Sequence, residues 1–397
     1  MLSALTSIAL SARTSLYARR RRSSLRSAVI VPPATPGSVG DAAMISVAIA
    51  ELRKRGFERI DLLHGRSWPV DEQVDRLISA EAFFYNGRAS QGRQLRRLMT
   101  QYDYVCFIGA DVIDGAYNPG SVSRRLELLE CASKAGIATT VLGSSYNDAP
   151  EETTRSALAK LPKATQISAR DPVAYTRLAT HLKRDIVQTA DLAFLLSPRT
   201  NDPETVRLAA WVARQRAAGK EVLAVNANYL HAAKNPAFEA SLTKFLHGLN
   251  TAGIAILLVP HDTRTKRNDR QVLEDAAKAI DRDSIELVRT TSPGAIKAIL
   301  SQVDALFTGR LHAMILAMGA GTPAGGLAYQ GKFEGMLQLF QLDNSDLLMS
   351  PEDFAGDPDK ALELAFSLLR RKTEIRQKIE ARLSAVHELS SKNFALA

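Results

Sequence analysis

The sequence predicts an α/β protein built from two Rossmann-like, doubly wound lobes with a helical C-terminal segment. Three observations predict it. From Ala28 onward, short β-rich runs alternate with helical patterns. A polar, proline-containing stretch interrupts that series once near its middle. At 397 residues the chain is also too long for one ordinary core.

The first series starts with "SAVIVPP", followed by a helix from about Asp41 to Lys54. "ERIDLLHG", "YDYVCFIGA", "IATTVLGSS", "ATQISAR" and "DIVQTADLAFLL" come next as strands, mostly with amphipathic helices between them. Such alternation calls for a mainly parallel sheet covered on both faces. The interruption is "SPRTNDPE", residues 197–204, with two prolines and no periodicity. A second series follows: "EVLAVNANY", "IAILLVPHD", "SIELVRTT", "DALFTGR" and "PAGGLAYQ". From roughly Pro358 to Lys392 the pattern is one or two charged amphipathic helices. The expected division is a basic tail over 1–27, an N-terminal lobe over 28–198, a C-terminal lobe over 199–345 and a helical segment over 346–397.

Charged residues at 23% and hydrophobic residues at 46% are those of a soluble globular protein. No apolar run approaches the ~18 residues that span a bilayer. The net charge of +9 is concentrated: residues 1–27 hold six arginines and no acidic residue, which leaves +3 for the other 370. A nearly neutral body argues against a nucleic-acid surface. The tail places its apolar part before its charges, opposite to a secretory signal. It fits an organellar presequence, a basic arm on anionic lipid, or a segment without a role. Cys106 and Cys131 match no metal spacing and suggest no disulfide framework. A cytoplasmic location is the simplest reading, with peripheral contact at the inner membrane face left open through the tail.

In open α/β sheets, ligands bind beyond the carboxyl ends of the strands, where helices begin. The clearest such point is "DALFTGRLHAMILAMGAGTP", with a strand over Ala305–Phe307 and a helix starting near Leu311. Gly and Pro323 close that helix. Arg310 and His312 therefore stand at a helix N-terminus, where unpaired N–H groups and the helix dipole attract anions. Arg310 adds forked donors suited to carboxylate or phosphate, and His312 is available as a base. The plainer alternative has Arg310 in an ion pair across its domain and His312 as a cap.

"ISARDPVAYTRL" is the second such point, with Asp171 as N-cap and Pro172 at the first helical position. Arg170 before them is open between an ion pair and a ligand contact. Together Arg170 and Arg310 would face a small substrate carrying more than one negative charge. The turn Gly37, Ser38, Gly40 and Asp41 lies between the first strand and helix, and Gly109, Asp111 and Asp114 follow the third strand. His261 and Asp262 end a strand of the second series, where a lone histidine is more often a cap. Tyr329 and Lys332 follow what reads as the last strand, where a solvated lysine is the default. No His/Cys/carboxylate cluster has metal spacing, and no Walker loop or full G-x-G-x-x-G is present.

These residues resemble the polysaccharide pyruvyltransferases. The strongest mark is R-L-H-x4-A-x3-G-x-P followed by Y-x-x-K, here Arg310, Leu311, His312, Ala317, Gly321, Pro323, Tyr329 and Lys332 without a gap. The G-D pair of Gly40-Asp41, the R-D of Arg170-Asp171, the T-A-D of Thr189-Ala190-Asp191 and the P-H of Pro260-His261 agree in order. The likeness covers roughly residues 28–345. It implies two lobes similar to the GT-B glycosyltransferases, and transfer of pyruvate from phosphoenolpyruvate onto two hydroxyls of a sugar as a cyclic ketal. It implies donor contacts from Arg170, Arg310 and His312, and His312 is our choice for the general acid/base. Lys332, Tyr329, Asp41 and Asp111 join as substrate contacts, the two aspartates on the acceptor side. Ser38 stands where many relatives carry Asn, the glycine run after the third strand is reduced to Gly109-Ala110-Asp111, and Ala174 replaces a common serine. The implied partners are a small donor and a glycan acceptor, with no cofactor beyond the donor and no metal. The alternatives are a GT-B nucleotide-sugar glycosyltransferase, with Arg310 and Lys332 on the diphosphate and Glu334 on the ribose, and a non-catalytic anion- or saccharide-binding protein.

Overall fold

A computed structural model describes residues 26–397 apart from positions 265, 279, 282 and 330. The readings of the basic tail fall almost wholly outside the described residues. Two parallel sheets form two α/β lobes, as the sequence predicts.

In the N-terminal lobe, strands β1 (Ser27–Val31), β2 (Arg59–Leu62), β3 (Arg76–Leu77), β4 (Tyr104–Ile108), β5 (Ala138–Ser144), β6 (Gln166–Ala169) and β7 (Val187–Gln188) pair in the order β3-β2-β1-β4-β5-β6-β7. In the C-terminal lobe, β8 (Val222–Asn226), β9 (Ala255–Leu258), β10 (Ile285–Leu287), β11 (Ala305–Thr308), β12 (Ala324–Leu327) and β13 (Leu348–Met349) pair as β10-β9-β8-β11-β12-β13. Winding reverses between β1 and β4 and again between β8 and β11. Those are the two crevices where such sheets receive ligands.

Each central strand is apolar on both faces because helices cover both. In β1, Ala28 and Ile30 enter one core while Val29 and Val31 enter another, as a two-residue pleat requires. The first of these cores continues into the C-terminal lobe. The helix Val39–Lys54 carries that continuity: from Val39 to Ile49 every residue is buried, so it has no solvent face over that length. It packs against the helices Pro293–Leu300 and Leu311–Met318 of the other lobe.

Further bonds cross between the lobes. Val39 N–H donates to His261 O at 2.9 Å and Thr263 N–H to Gly37 O at 2.8 Å. Asp71 accepts from Ser292 Oγ at 2.6 Å and from Gly294 N–H at 2.7 Å, capping the Pro293–Leu300 helix from the opposite lobe. At the C-terminus, helices Pro358–Arg370 and Lys372–Ser391 lead back to the first lobe. There the buried Asn393 accepts from Gly143 N–H at 2.8 Å and donates to Ala190 O at 2.9 Å. No helix of the described residues is long and apolar enough to cross a membrane.

Several elements differ from the sequence reading. The first helix starts at Val39 rather than Asp41, because Ser38 Oγ accepts from Asp41 N–H and places the cap earlier. "DIVQTADLAFLL" is not one strand: only Val187–Gln188 pairs, and Leu192–Leu195 is a 3₁₀ turn capped by Asp191, whose Oδ1 accepts from Ala193 N–H. The two-residue edge strands β3 and β13 have too little periodicity to read. In "GAGTP" the left-handed glycine is Gly321, with φ of 79°, while Gly319 remains right-handed.

Candidate functional site

The end of β11 sets the first part of the site. Thr308 Oγ1 accepts from Arg310 N–H at 2.9 Å and donates to Asn226 Oδ1 at the end of β8, turning the chain sharply into the Leu311–Met318 helix. Arg310 is its N-cap residue but makes no side-chain cap bond. The guanidinium instead forms a two-point pair with Asp269, Nε to Oδ2 at 3.1 Å and Nη2 to Oδ1 at 2.8 Å, and lies 3.4 Å from Asp262. The ion-pair reading of Arg310 is thus realised, within its own lobe.

His312 points toward the N-terminal lobe. Its ring lies against Gly40, where an added Cβ would fall 2.3 Å from His312 Cγ. Its Nε2 is 3.5 Å from Asp191 Oδ2, a contact too long for a full hydrogen bond. It does not cap its own helix.

Arg170 follows β6 directly and donates through Nη1 to the same Asp191 oxygen at 3.0 Å, both groups buried. Burial would raise the Asp191 carboxyl, but His312 and Arg170 outweigh it and hold it near 2. Burial alone would lower Arg170, and the carboxylates of Asp191, Asp111 and Asp171 reverse that. Both groups are therefore charged at neutral pH.

Lys332 opens the Lys332–Leu339 helix, which packs so tightly on the Asp171 cap that a Cβ on Gly335 would lie 2.4 Å from Asp171 Oδ1. This close approach carries Lys332 across to Asp111, with Nζ to Oδ2 at 3.1 Å. Lys332 is 4% exposed, which overturns its default as a solvated lysine. Burial opposes ionisation of Asp111, yet Lys332, Arg170 and His312 drive its carboxyl well below the usual range. The Tyr329 phenol is pushed up to about 12 by burial and then by Asp111.

Asp41 completes the N-terminal side. Burial lifts its carboxyl to about 6 against the opposing charges of Arg264 and His312. All seven sequence-predicted residues thus gather where the two lobes meet. Arg170 and Lys332, with Asp171, Asp191, Phe194, Leu311, Ile315 and Met336, line one small hollow. Arg310 is drawn to the side of it by Asp269, but still acts on the Tyr329 phenol together with Arg170. A larger open groove beside β13, lined by residues such as Asp346, Lys360 and Arg370, includes none of the seven.

Residues assigned no role from the sequence also belong here. Asp191 joins Arg170 to His312, and its T-A-D strand end was the available signal. Asp269 lies 41 residues from Arg310, and no spacing rule links them. Arg264 pairs with Asp262, reaches within 3.9 Å of Asp41, and crosses Gly37, whose added Cβ would meet its Cγ at 2.5 Å. His261 is not the expected cap: its ring is buried with neither nitrogen hydrogen-bonded among the described residues, and burial followed by the charges of His312 and Arg310 keeps it neutral.

The architecture is that of two-lobed GT-B-type sugar enzymes, as solved structures confirm. A putative UDP-N-acetylglucosamine 2-epimerase from Listeria monocytogenes matches with a TM-score of 0.59 at 12% identity, over 90% of this chain and 91% of its own. A glycosyltransferase from Rickettsia africae matches at 0.60 and 12%, over 94% and 98%. The UDP-GlcNAc 2-epimerase from Neisseria meningitidis, solved with UDP-GlcNAc, matches at 0.57 and 11%, over 92% and 100%. At such identities the likeness is one of fold alone. No curated protein matches the chain. The profile of the family described as Polysaccharide pyruvyl transferase matches residues 39–331, most of the chain and six of the seven predicted site residues, Lys332 following directly after, and the chain belongs to that family.

Proposed function

We propose that this protein transfers pyruvate from phosphoenolpyruvate to two hydroxyls of a sugar, in a polysaccharide or its lipid-linked precursor. The observation that carries the reading is the meeting of Arg170 and Lys332 at one interlobe hollow, with Asp191 on its wall joining Arg170 to His312. Arg170 gives one N–H to Asp191 and Lys332 one to Asp111, so each retains donors for a small anion. A donor bearing both carboxylate and phosphate suits two fixed cations with Arg310 close by.

In this scheme the cations bind carboxylate and phosphate and stabilise the charge that grows on departing phosphate. The donor's methylene carbon takes a proton from His312, leaving a cation-like centre at C2. A sugar hydroxyl attacks C2, the C–O bond to phosphate breaks, and a neighbouring hydroxyl closes the ketal. Two hydroxyl protons are released overall: one replaces the proton consumed at carbon, and one leaves with inorganic phosphate. His312 as acid/base would supply about 10²–10⁴ in rate. Asp41, exchanging a proton near pH 6 beside His312, is placed to receive one from the acceptor. No cofactor other than the donor enters the scheme, and no metal.

The test is incubation with phosphoenolpyruvate and a panel of free and lipid-linked glycans. Phosphate release should accompany a mass gain on the glycan of one pyruvate less one water. Nucleotide release from a nucleotide sugar, with no pyruvyl product, would replace this reading with a glycosyltransferase.

A further inference from the structure

We infer that Tyr117 is a platform for the acceptor, stacking on the apolar face of a pyranose whose hydroxyls bond to Asp111; the inference rests on the glycan-modifying reading above. Tyr117 follows β4 at the switch point of the N-terminal lobe, and 55% of it is exposed, the second largest value among the exposed large hydrophobic residues. Its exposure is not that of a loose loop. Asp114, itself buried, accepts through Oδ1 from Ala116 N–H at 3.1 Å and through Oδ2 from Asn147 N–H at 3.3 Å. Its carbonyl takes Glu151 N–H and Thr154 Oγ1. Gly115, at φ of 82°, is so close to Thr154 that a Cβ would lie 2.7 Å from its Oγ1. On the other side Asn118 caps the helix Pro119–Lys134. Tyr117 is thus held between a brace and a cap.

Its orientation is set as well. The phenol donates to Asp111 Oδ2 at 3.3 Å, and Lys332 Nζ lies 5.7 Å from the ring centroid. The hydroxyl end is therefore tied to Asp111, on the acceptor side, while the ring reaches solvent. Asp111 Oδ2 takes both the Tyr117 and Lys332 bonds, and among the described residues no donor is bonded to Oδ1. An ionised carboxylate oxygen with spare acceptor capacity next to a fixed aromatic face is the chemistry that recognises a pyranose: hydroxyls on the carboxylate, C–H groups on the ring. Because the ring is pre-positioned, binding freezes little side-chain motion.

The experiment titrates the methyl pyranosides of glucose, galactose and mannose into the full chain and its Tyr117→Ala, Tyr117→Phe and Tyr117→Trp variants. Binding is followed by saturation-transfer NMR, with phosphoenolpyruvate titrated separately. At least one pyranoside should bind the wild type with saturation concentrated on one face of its ring. Tyr117→Ala should weaken that binding about tenfold or more, Tyr117→Phe and Tyr117→Trp should retain it, and phosphoenolpyruvate affinity should stay within about twofold. Unchanged binding to Tyr117→Ala, or no pyranoside bound by the wild type, overturns the platform. Loss in Tyr117→Phe equal to that in Tyr117→Ala also overturns it, since the phenol bond rather than the ring face would then matter. If pyranosides follow Tyr117 while phosphoenolpyruvate neither binds nor releases phosphate, the platform stands and the pyruvyl-donor reading falls.

Discussion

His312 owes its position to a residue with no side chain. Gly40 leaves the space that the imidazole fills, so Gly40→Ala forces a choice between moving the ring and moving the first helix. The expected cost is about 1–3 kcal/mol in stability. A fall in turnover on the order of 10²-fold should accompany it, because misplacing a reacting group by about an ångström has that effect. Urea unfolding and phosphate-release rates check the two parts separately. Asp41, one residue on, gives a pH prediction. Its carboxyl is near 6 in the folded chain against 3.8 as an ordinary value, so between those limits the folded state holds a proton that the unfolded state has released. That contribution to stability is fully present below pH 3.8 and lost as pH rises through 6, amounting to about 3 kcal/mol at most. Asp41→Asn should flatten the slope and be the more stable protein at pH 8, as denaturant midpoints across pH 4–8 would record. Gly40 and Asp41 read from sequence as a glycine turn and a helix start, and both lie inside the helix, which begins at Val39. Their contact with His312, 272 residues later, was not legible.

At the scale of elements, the C-terminal helix pair closes the molecule on its first lobe. Asn393 satisfies one buried donor and one buried acceptor there, and Ser390 Oγ donates to the carbonyl of Asp191 at 2.8 Å. Asn393→Ala leaves Gly143 N–H and Ala190 O without that partner, for a loss of about 3 kcal/mol. Because Ser390 sits on the backbone of the residue that joins Arg170 to His312, turnover should fall together with thermal stability. A stable Asn393→Ala protein with normal turnover would separate this helix from the site. The strands of both lobes were readable because burial on two faces leaves continuous apolar runs such as "AVIV" and "VCFI". The segment 189–196 reads as strand because the same composition serves equally for a buried 3₁₀ turn. What settles it is the Asp191 side chain accepting from the Ala193 N–H two residues on, a local competition that apolar patterning does not display. The helix pair was visible from its charged periodicity, but its destination was not, since Asn393 and Gly143 lie 250 residues apart.

At the scale of the molecule, the cleft lies where both sheets reverse, and Val39, Thr263, Asp71 and Arg264 bind the lobes to each other around it. Strand alternation announced two lobes, and the R-L-H and R-D motifs announced which strand ends face the cleft. The sequence could not show that each cation arrives with a carboxylate: Arg170 with Asp191, Lys332 with Asp111, Arg310 with Asp269. Those carboxylates fix the cations in place before any ligand enters, the pre-organisation that electrostatic catalysis requires. They also set a threshold for whatever ligand these three cations hold, which must bring more negative charge than a neutral sugar does. Calorimetric titration of the full chain with phosphoenolpyruvate, run beside an identical titration with UDP-N-acetylglucosamine, tests this most directly. Saturable binding of phosphoenolpyruvate between about 1 μM and 1 mM, with no heat from the nucleotide sugar, is the predicted result; binding of the nucleotide sugar alone would contradict it.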